Sequence, residues 1–299
     1  MPQPTAANWL SIAFLGVIWG GTFMVVSIAL QGYGPVTVAA ARTTLGALAL
    51  VVLVRVLNRP WPPMDLTFLG YLIPLGLLSS ALPFFLLSWG QQHVTSAYTG
   101  LNMTALPLFV LPLAHVFADE PLTLRKSLGM LIGFAGAALL IGPGILSGTG
   151  SSLEPWARLA CLGAVMSYAV ASILTRRFPP VDPVALSALG LVVGSAVLVP
   201  AMLLAEGVPG WAGARAGWAI VLLGLVPTAL AALLRVQVIR SAGSGFMTLV
   251  NYQVPVWSMV FGAVVLSEAL PWRFFAALAL ILLGLSVSQF GALKRLFAG

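Results

Sequence analysis

Arg42 is the first charged side chain in this sequence, and residues 66 to 118 contain no Asp, Glu, Lys or Arg at all. A soluble domain carries about a quarter of its residues as those four types. A chain with apolar stretches this long must satisfy its backbone polar groups within each segment, and in hydrocarbon a helix does that by itself. Charged residues make up 7% of the 299 positions and the mean hydropathy is +1.05, so the constraint holds along the whole chain. The expected fold class is all-α integral membrane, with the lipid bilayer as a partner.

A spanning helix needs roughly 20 apolar residues. Ten segments qualify, at 8–30, 36–54, 68–88, 96–117, 127–146, 157–175, 184–204, 218–234, 246–266 and 274–290. With the N-terminus in the cytoplasm, Arg55, Arg59, Arg125, Lys126, Arg176, Arg177, Arg235, Arg240, Lys294 and Arg295 fall on the cytoplasmic side. Arg42, Arg158, Arg215 and Arg273 go to the other side. This bias follows the positive-inside rule, and an even number of spans returns the C-terminus to the cytoplasm. Trp9, Trp61, Trp89, Trp156, Trp211, Trp218 and Trp272 lie at or beyond span ends, where an indole prefers the headgroup level. The opening MPQPTAANWL lacks a basic n-region, so the first apolar run is expected to be a retained helix.

The net charge of +7 does not imply nucleic acid, because the basic residues are scattered in ones and twos and build no stripe. A single cysteine, Cys161, allows no internal disulfide. His93 and His115 have no second ligand at metal spacing, so neither a metal nor another cofactor is expected.

The stretch PLFVLPLAHVFADEPLTLR at 107–125 and the stretch PVWSMVFGAVVLSEALPWR at 255–273 place Pro, Glu, Leu and Arg at the same intervals. At that offset of 148 residues Pro35 also matches Pro183, Gly46 matches Gly194, Gly76 matches Gly224, Ser96 matches Ser244, Leu101 matches Leu249 and Gly136 matches Gly284. Matched Pro, Gly, Glu and Arg are costly coincidences. The expected organisation is two five-helix repeats, 1–147 and 148–299. Since five is odd, the second repeat is inverted with respect to the first. Inverted repeats of this kind place a binding site where the halves meet and support alternating access.

The two five-helix halves, the WGGTF stretch in span one, the lone Arg42 in span two and the doubled Pro, Glu, Arg and Gly pattern together resemble the EamA family of the drug/metabolite transporter superfamily. Among its members the chain looks like amino-acid exporters of the YddG type. The resemblance implies a central cavity lined by spans one, three, four, six, eight and nine, with spans five and ten peripheral. It implies export of small metabolites, amino acids foremost, across a bacterial cytoplasmic membrane. MSYAV at 166–170 stands where the first copy has WGGTF, so the two cavity walls are chemically unequal. These stretches add Thr22 and Tyr168 to the implied substrate-binding set.

Trp19 and Trp257 lie near the middle of spans one and nine, where an indole N–H facing lipid has no partner. Gly20 and Gly21 suggest open space beside the Trp19 ring. Tyr98 and Asn102 share a helix face, and Asn251, Tyr252 and Gln253 precede a mid-helix Pro255. Polar groups this deep turn toward other helices or a wet cavity. Pro83, Pro107, Pro227 and Pro255 interrupt spans three, four, eight and nine and are expected to act as kinks or gating points. Arg42, the one strongly basic residue well inside an apolar run, is expected to serve structure. Glu120 and Glu268 are expected to stabilise helix starts, with Arg125 and Arg273 as ion-pair partners.

Enzymatic chemistry needs a nucleophile with a base or a metal constellation in the membrane, and neither can be read here. No ATP-binding motif occurs, which leaves secondary transport. A nucleotide-sugar or other metabolite carrier of the same fold is the alternative, though such a substrate calls for several cations where only Arg42 is available. A channel is a further alternative. A monomer is compatible with these readings, and the sequence does not fix the oligomeric state.

Overall fold

A computed structural model describes residues 4–117, 122–141, 153–177 and 180–290, and every regular element among them is helical. Helix α1 (Ala6–Ala29) starts at a capping box, in which Thr5 and Asn8 satisfy each other's backbone N–H. Helix α2 (Pro35–Val56) has proline in its first turn, and Gly34 before it offers no side-chain cap. The carboxylate of Glu206 serves instead, accepting from Val36 N at 2.9 Å and Thr37 N at 2.8 Å.

Helices α3 (Leu66–Gly76) and α4 (Leu82–Gly90) form one span joined by a π turn, Leu77–Ala81. Helices α5 (Ser96–Asn102) and α6 (Leu106–Phe117) form the next, joined by a 3₁₀ turn at Met103–Ala105. There follow α7 (Leu124–Ile141), α8 (Glu154–Arg177) and α9 (Pro183–Ala205). Helices α10 (Ala214–Gly224) and α11 (Ala231–Ala242) are again joined by a π turn, Leu225–Leu230. Helices α12 (Ser244–Met247), α13 (Val250–Leu266) and α14 (Trp272–Ser288) complete the chain. By length and composition seven of the described helical segments can cross a membrane, and α13 and α14 are shorter apolar helices. This is a multi-pass membrane protein.

Proline explains both π turns. Pro227 has no N–H to give Leu223 O, and Thr228 Oγ1 takes that carbonyl at 2.8 Å. The Ala231 N–H then reaches back five residues to Val226 O, which is the wider π spacing. Pro83 likewise withholds a donor from the preceding turn, and the Leu82 N–H reaches Leu77 O.

Helix α2 packs along α9, α7 along α14, α1 along α13 and α4 along α8. A β-carbon on Gly76 would meet Val193 Cβ at 2.7 Å and Gly190 O at 2.9 Å, and one on Gly224 would meet Leu45 Cβ and, at 3.3 Å, Arg42 O. Each residue in the first set lies 148 positions from its counterpart in the second. Helices α7 and α14 touch backbone to backbone, since a β-carbon on Gly284 would stand 2.6 Å from Gly133 N.

The ends of the bundle are held by carboxylates. Asp182 accepts from Val184 N at 2.9 Å and Ala185 N at 3.2 Å, and pairs with Arg240 at 3.2 Å and Arg59 at 3.8 Å. Asp65 caps α3 through Phe68 N, and Glu154 pairs with Arg158 one turn along α8.

Span eight departs from its expected bounds, 218–234, because α11 runs on to Ala242. Arg235, Gln237 and Arg240 make that last stretch polar, but their long side chains reach out from a helix that continues beneath them. Asp119, Glu120, Gly148, Lys294 and Arg295 lie outside the described residues.

Candidate functional site

The centre of the bundle is built where α1, α2, α4, α8 and the second π turn converge. Because the Ala231 N–H goes to Val226 O, the neighbouring carbonyl of Pro227 is open to a donor from outside the helix, and Trp19 Nε1 takes it at 3.3 Å. The half-buried Trp19 N–H is therefore satisfied by backbone freed at a proline. One residue on, Thr228 Oγ1 accepts from Arg42 Nε at 3.2 Å, and the guanidinium carbon of Arg42 sits 3.9 Å above the Phe84 ring. Tyr168 packs against the apolar clusters on both sides of this centre and lies within electrostatic reach of Arg42. Thr22 is buried and turns its hydroxyl back to Ile18 O at 2.9 Å.

Tyr98 and Asn102 share one face of α5 and are almost fully buried, at 3% and 1% exposure. The Tyr98 hydroxyl and the Asn102 amide nitrogen have no hydrogen-bond partner among the described residues, so this face holds polar capacity that a ligand or water can satisfy. Arg158 lies over the Tyr98 ring at 5.6 Å, and Phe274 lies 6.3 Å from it. The start of α5 is fixed by Glu268, whose two oxygens accept from Ser96 N at 2.7 Å and Ala97 N at 2.9 Å. The sequence points Glu268 toward Arg273; its oxygens instead cap a helix 172 residues away, while Arg273 lies 5.9 Å from the centroid of its neighbour Phe274.

The polar run before Pro255 does not act as one group. Asn251, Tyr252 and Gln253 are all half-buried, but the Tyr252 hydroxyl is buried with no hydrogen-bond partner among the described residues and Gln253 lies against Gly16 on α1. Trp257 is stacked on Phe261 at 5.7 Å. The space that Gly20 and Gly21 suggest beside Trp19 is filled. A β-carbon on Gly20 would strike Trp257 Cβ, and one on Gly21 would stand 3.3 Å from the Phe261 ring. Trp257 also edges a cleft of about 510 Å³ between α1, α11 and α13, lined by Leu10, Phe14, Val17 and Leu234. Leu10 and Phe14 are exposed, so this cleft opens at the surface of the bundle.

Pro227 lies in the second π turn, Pro83 in the first turn of α4 just after the first π turn, Pro107 in the first turn of α6 after the 3₁₀ break, and Pro255 is buried within α13. Each therefore marks an irregular or weakened rung. Phe84 and Thr228 are site residues that sequence reasoning passes over. The proline next to Thr228 and the 148-residue match of Ser80 to Thr228 were the available signals. No group of His, Cys, Asp and Glu able to hold a metal occurs among the described residues.

Comparison with known proteins bears on what this arrangement serves. The chain is 23% identical to YoaV, an uncharacterized transporter of Bacillus subtilis strain 168, over 96% of this chain and 98% of that protein. It is 25% identical to YedA, an uncharacterized inner membrane transporter of Escherichia coli K12, over 95% and 90%. A probable terminal-alkyne amino-acid exporter of Streptantibioticus cattleyicolor is 27% identical over 85% and 84%. One solved crystal structure shares the fold, with a TM-score of 0.66 and 21% identity over 98% of this chain and 99% of its own. The model of the EamA-like transporter family matches twice, at residues 7–142 and 155–289, and with nearly the whole length so covered, the chain belongs to the EamA-like transporter family.

Proposed function

We propose that this membrane transporter exports small metabolites, amino acids foremost and aromatic or broad in range, by alternating access across a bacterial cytoplasmic membrane. In this reading ten spans form two five-helix units, 1–147 and 148–299, inserted in opposite orientations with both termini in the cytoplasm. The observation that carries it is the paired contact set. Gly76 meets Val193 and Gly190 just as Gly224 meets Leu45 and Arg42, and the π turns at 77–81 and 225–230 stand at the same offset. Two units with matched but separate contacts can exchange conformations, which opens a central site to one side and then the other.

The substrate-facing set is Trp19, Thr22, Tyr98, Asn102, Tyr168, Asn251, Tyr252, Gln253 and Trp257. Pro83, Pro107, Pro227 and Pro255 are the points at which the helices bend. The amino-acid class is supported by the exporter of Streptantibioticus cattleyicolor. The test is counterflow in proteoliposomes with a panel of labelled amino acids. The expected result is saturable uptake accelerated by unlabelled substrate on the far side. Flux that neither saturates nor accelerates would indicate a channel and refute the proposal, as would the absence of flux for every member of the panel.

A further inference from the structure

We propose that Arg42 is the anion-binding pole of the transport site, so that the transported molecule presents a carboxylate to it. The inference rests on the transporter reading above and adds a substrate class to it. Arg42 lies seven residues beyond Pro35, well within α2, and two other elements hold its guanidinium, with a third nearby. Thr228 takes Nε at 3.2 Å, Phe84 covers one face at 3.9 Å, and Tyr168 lies nearby on α8.

Nothing described neutralises this charge. The five described carboxylates are each engaged elsewhere: Asp65 on Phe68 N, Glu154 on Arg158, Asp182 on Arg59 and Arg240, Glu206 on the start of α2 and Glu268 on the start of α5. An ionised side chain among apolar helices is costly unless it is paired. The two terminal nitrogens of Arg42 make no hydrogen bond among the described residues and are not sealed into the packing. With Nε and the ring face already used, these two donors present a fixed fork, the geometry that binds a carboxylate through two parallel hydrogen bonds.

Packing alone does not require this cation. At the matching position of the other half stands Gly190, where Ser80 Oγ donates to the Gly190 carbonyl at 3.3 Å, and the same helix contacts form with no side chain at all. A single guanidinium balances a single negative charge. It therefore suits a carboxylate, such as that of a zwitterionic amino acid, and not a pyrophosphate.

The experiment measures equilibrium binding to the purified full-length protein with L-phenylalanine, phenylacetate, phenylalanine methyl ester and phenethylamine, followed by competition across the twenty amino acids. Phenylacetate and phenylalanine are expected to bind at least about tenfold more tightly than the ester and the amine. In Arg42→Gln that ratio falls to about one, and Arg42→Lys recovers part of it. Thr228→Val keeps the charge but frees Nε, and is expected to weaken carboxylate binding several-fold more than amine binding. It serves as the second variant if Arg42→Gln does not fold. Two results overturn the inference: an unchanged carboxylate preference in these variants, or no saturable binding of any carboxylate to the wild-type protein. If an uncharged or cationic metabolite is nevertheless carried in counterflow, transport stands and the role of Arg42 falls. Absence of all flux sinks the transport reading itself.

Discussion

Glu268 and Glu206 make the same pair of hydrogen bonds in different surroundings, and replacing each by alanine separates the value of geometry from the value of burial. Each carboxylate accepts from two consecutive backbone N–H groups at a helix start, at 2.7 and 2.9 Å for Glu268 and at 2.9 and 2.8 Å for Glu206. A charged acceptor of this kind contributes about 1.5–3 kcal/mol where water is excluded, with about 0.3–1 kcal/mol more from the helix dipole. Glu206 is exposed, so water replaces much of what its removal takes away, whereas Glu268 is half-buried. Glu268→Ala is expected to cost about 2 kcal/mol, and Glu206→Ala less than about 1 kcal/mol, near the lower end for cap removal. Gly262 supplies an internal control, since a β-carbon there would stand 2.5 Å from Glu268 Oε2 and push the carboxylate off its donors. Gly262→Ala should therefore reproduce much of the Glu268→Ala loss, and the double variant should lose less than the sum. The assay is equilibrium unfolding in mixed micelles, followed by circular dichroism. Equal losses at the two glutamates, or full additivity in the double variant, would refute the reasoning.

Gly20→Ala is expected to destabilise the protein by about 1–3 kcal/mol, because its β-carbon meets Trp257 Cβ and, at 3.0 Å, the backbone oxygen of Val254; Gly70→Ala, with nothing within 4 Å, should be silent in the same unfolding assay. Alanine at Trp19, Tyr98, Asn102 or Tyr252 should reduce counterflow more than the yield of folded protein, and normal kinetics in all four would remove them from the site. Each of the seven carboxylates lies at or beyond an expected span end, so no intramembrane acid is at hand to tie proton movement to substrate. Flux in proteoliposomes should change little under an imposed pH step of about one unit, and accumulation abolished by a protonophore would contradict this.

Span starts were legible because they are written locally: α2, α5 and α9 begin at Pro35, Ser96 and Pro183, within one residue of the expected 36, 96 and 184. Partnerships made across the fold were not. Glu268 reads in sequence as a neighbour of Arg273, while its oxygens reach Ser96 and Ala97. Gly20 and Gly21 read as space, since a missing side chain looks the same in sequence whether the room is left empty or taken by another helix, here by Trp257 and Phe261. The π turns escaped for a related reason. Proline announces a lost hydrogen bond but not its resolution, and the answer at Pro227 depended on Thr228 below it and Trp19 on another span. At the candidate site, Trp19, Tyr98 and Asn102 could be picked out by type and depth, whereas Phe84 and Thr228 gained meaning only from the guanidinium between them.

Among the described residues, two carboxylate caps cross the fold, and both run in one direction along the chain. The helix starts lie near residues 35 and 96, and the groups that cap them come at 206 and 268. During synthesis the earlier helices therefore enter the bilayer with backbone donors still waiting for partners that the ribosome has not yet made. The start of α2 waits for the turn after α9, and the start of α5 waits for the approach to α14. These two helix starts are thus fixed late, and a nascent chain stopped before residue 206 would hold α2 and α5 without the carboxylates that clasp them.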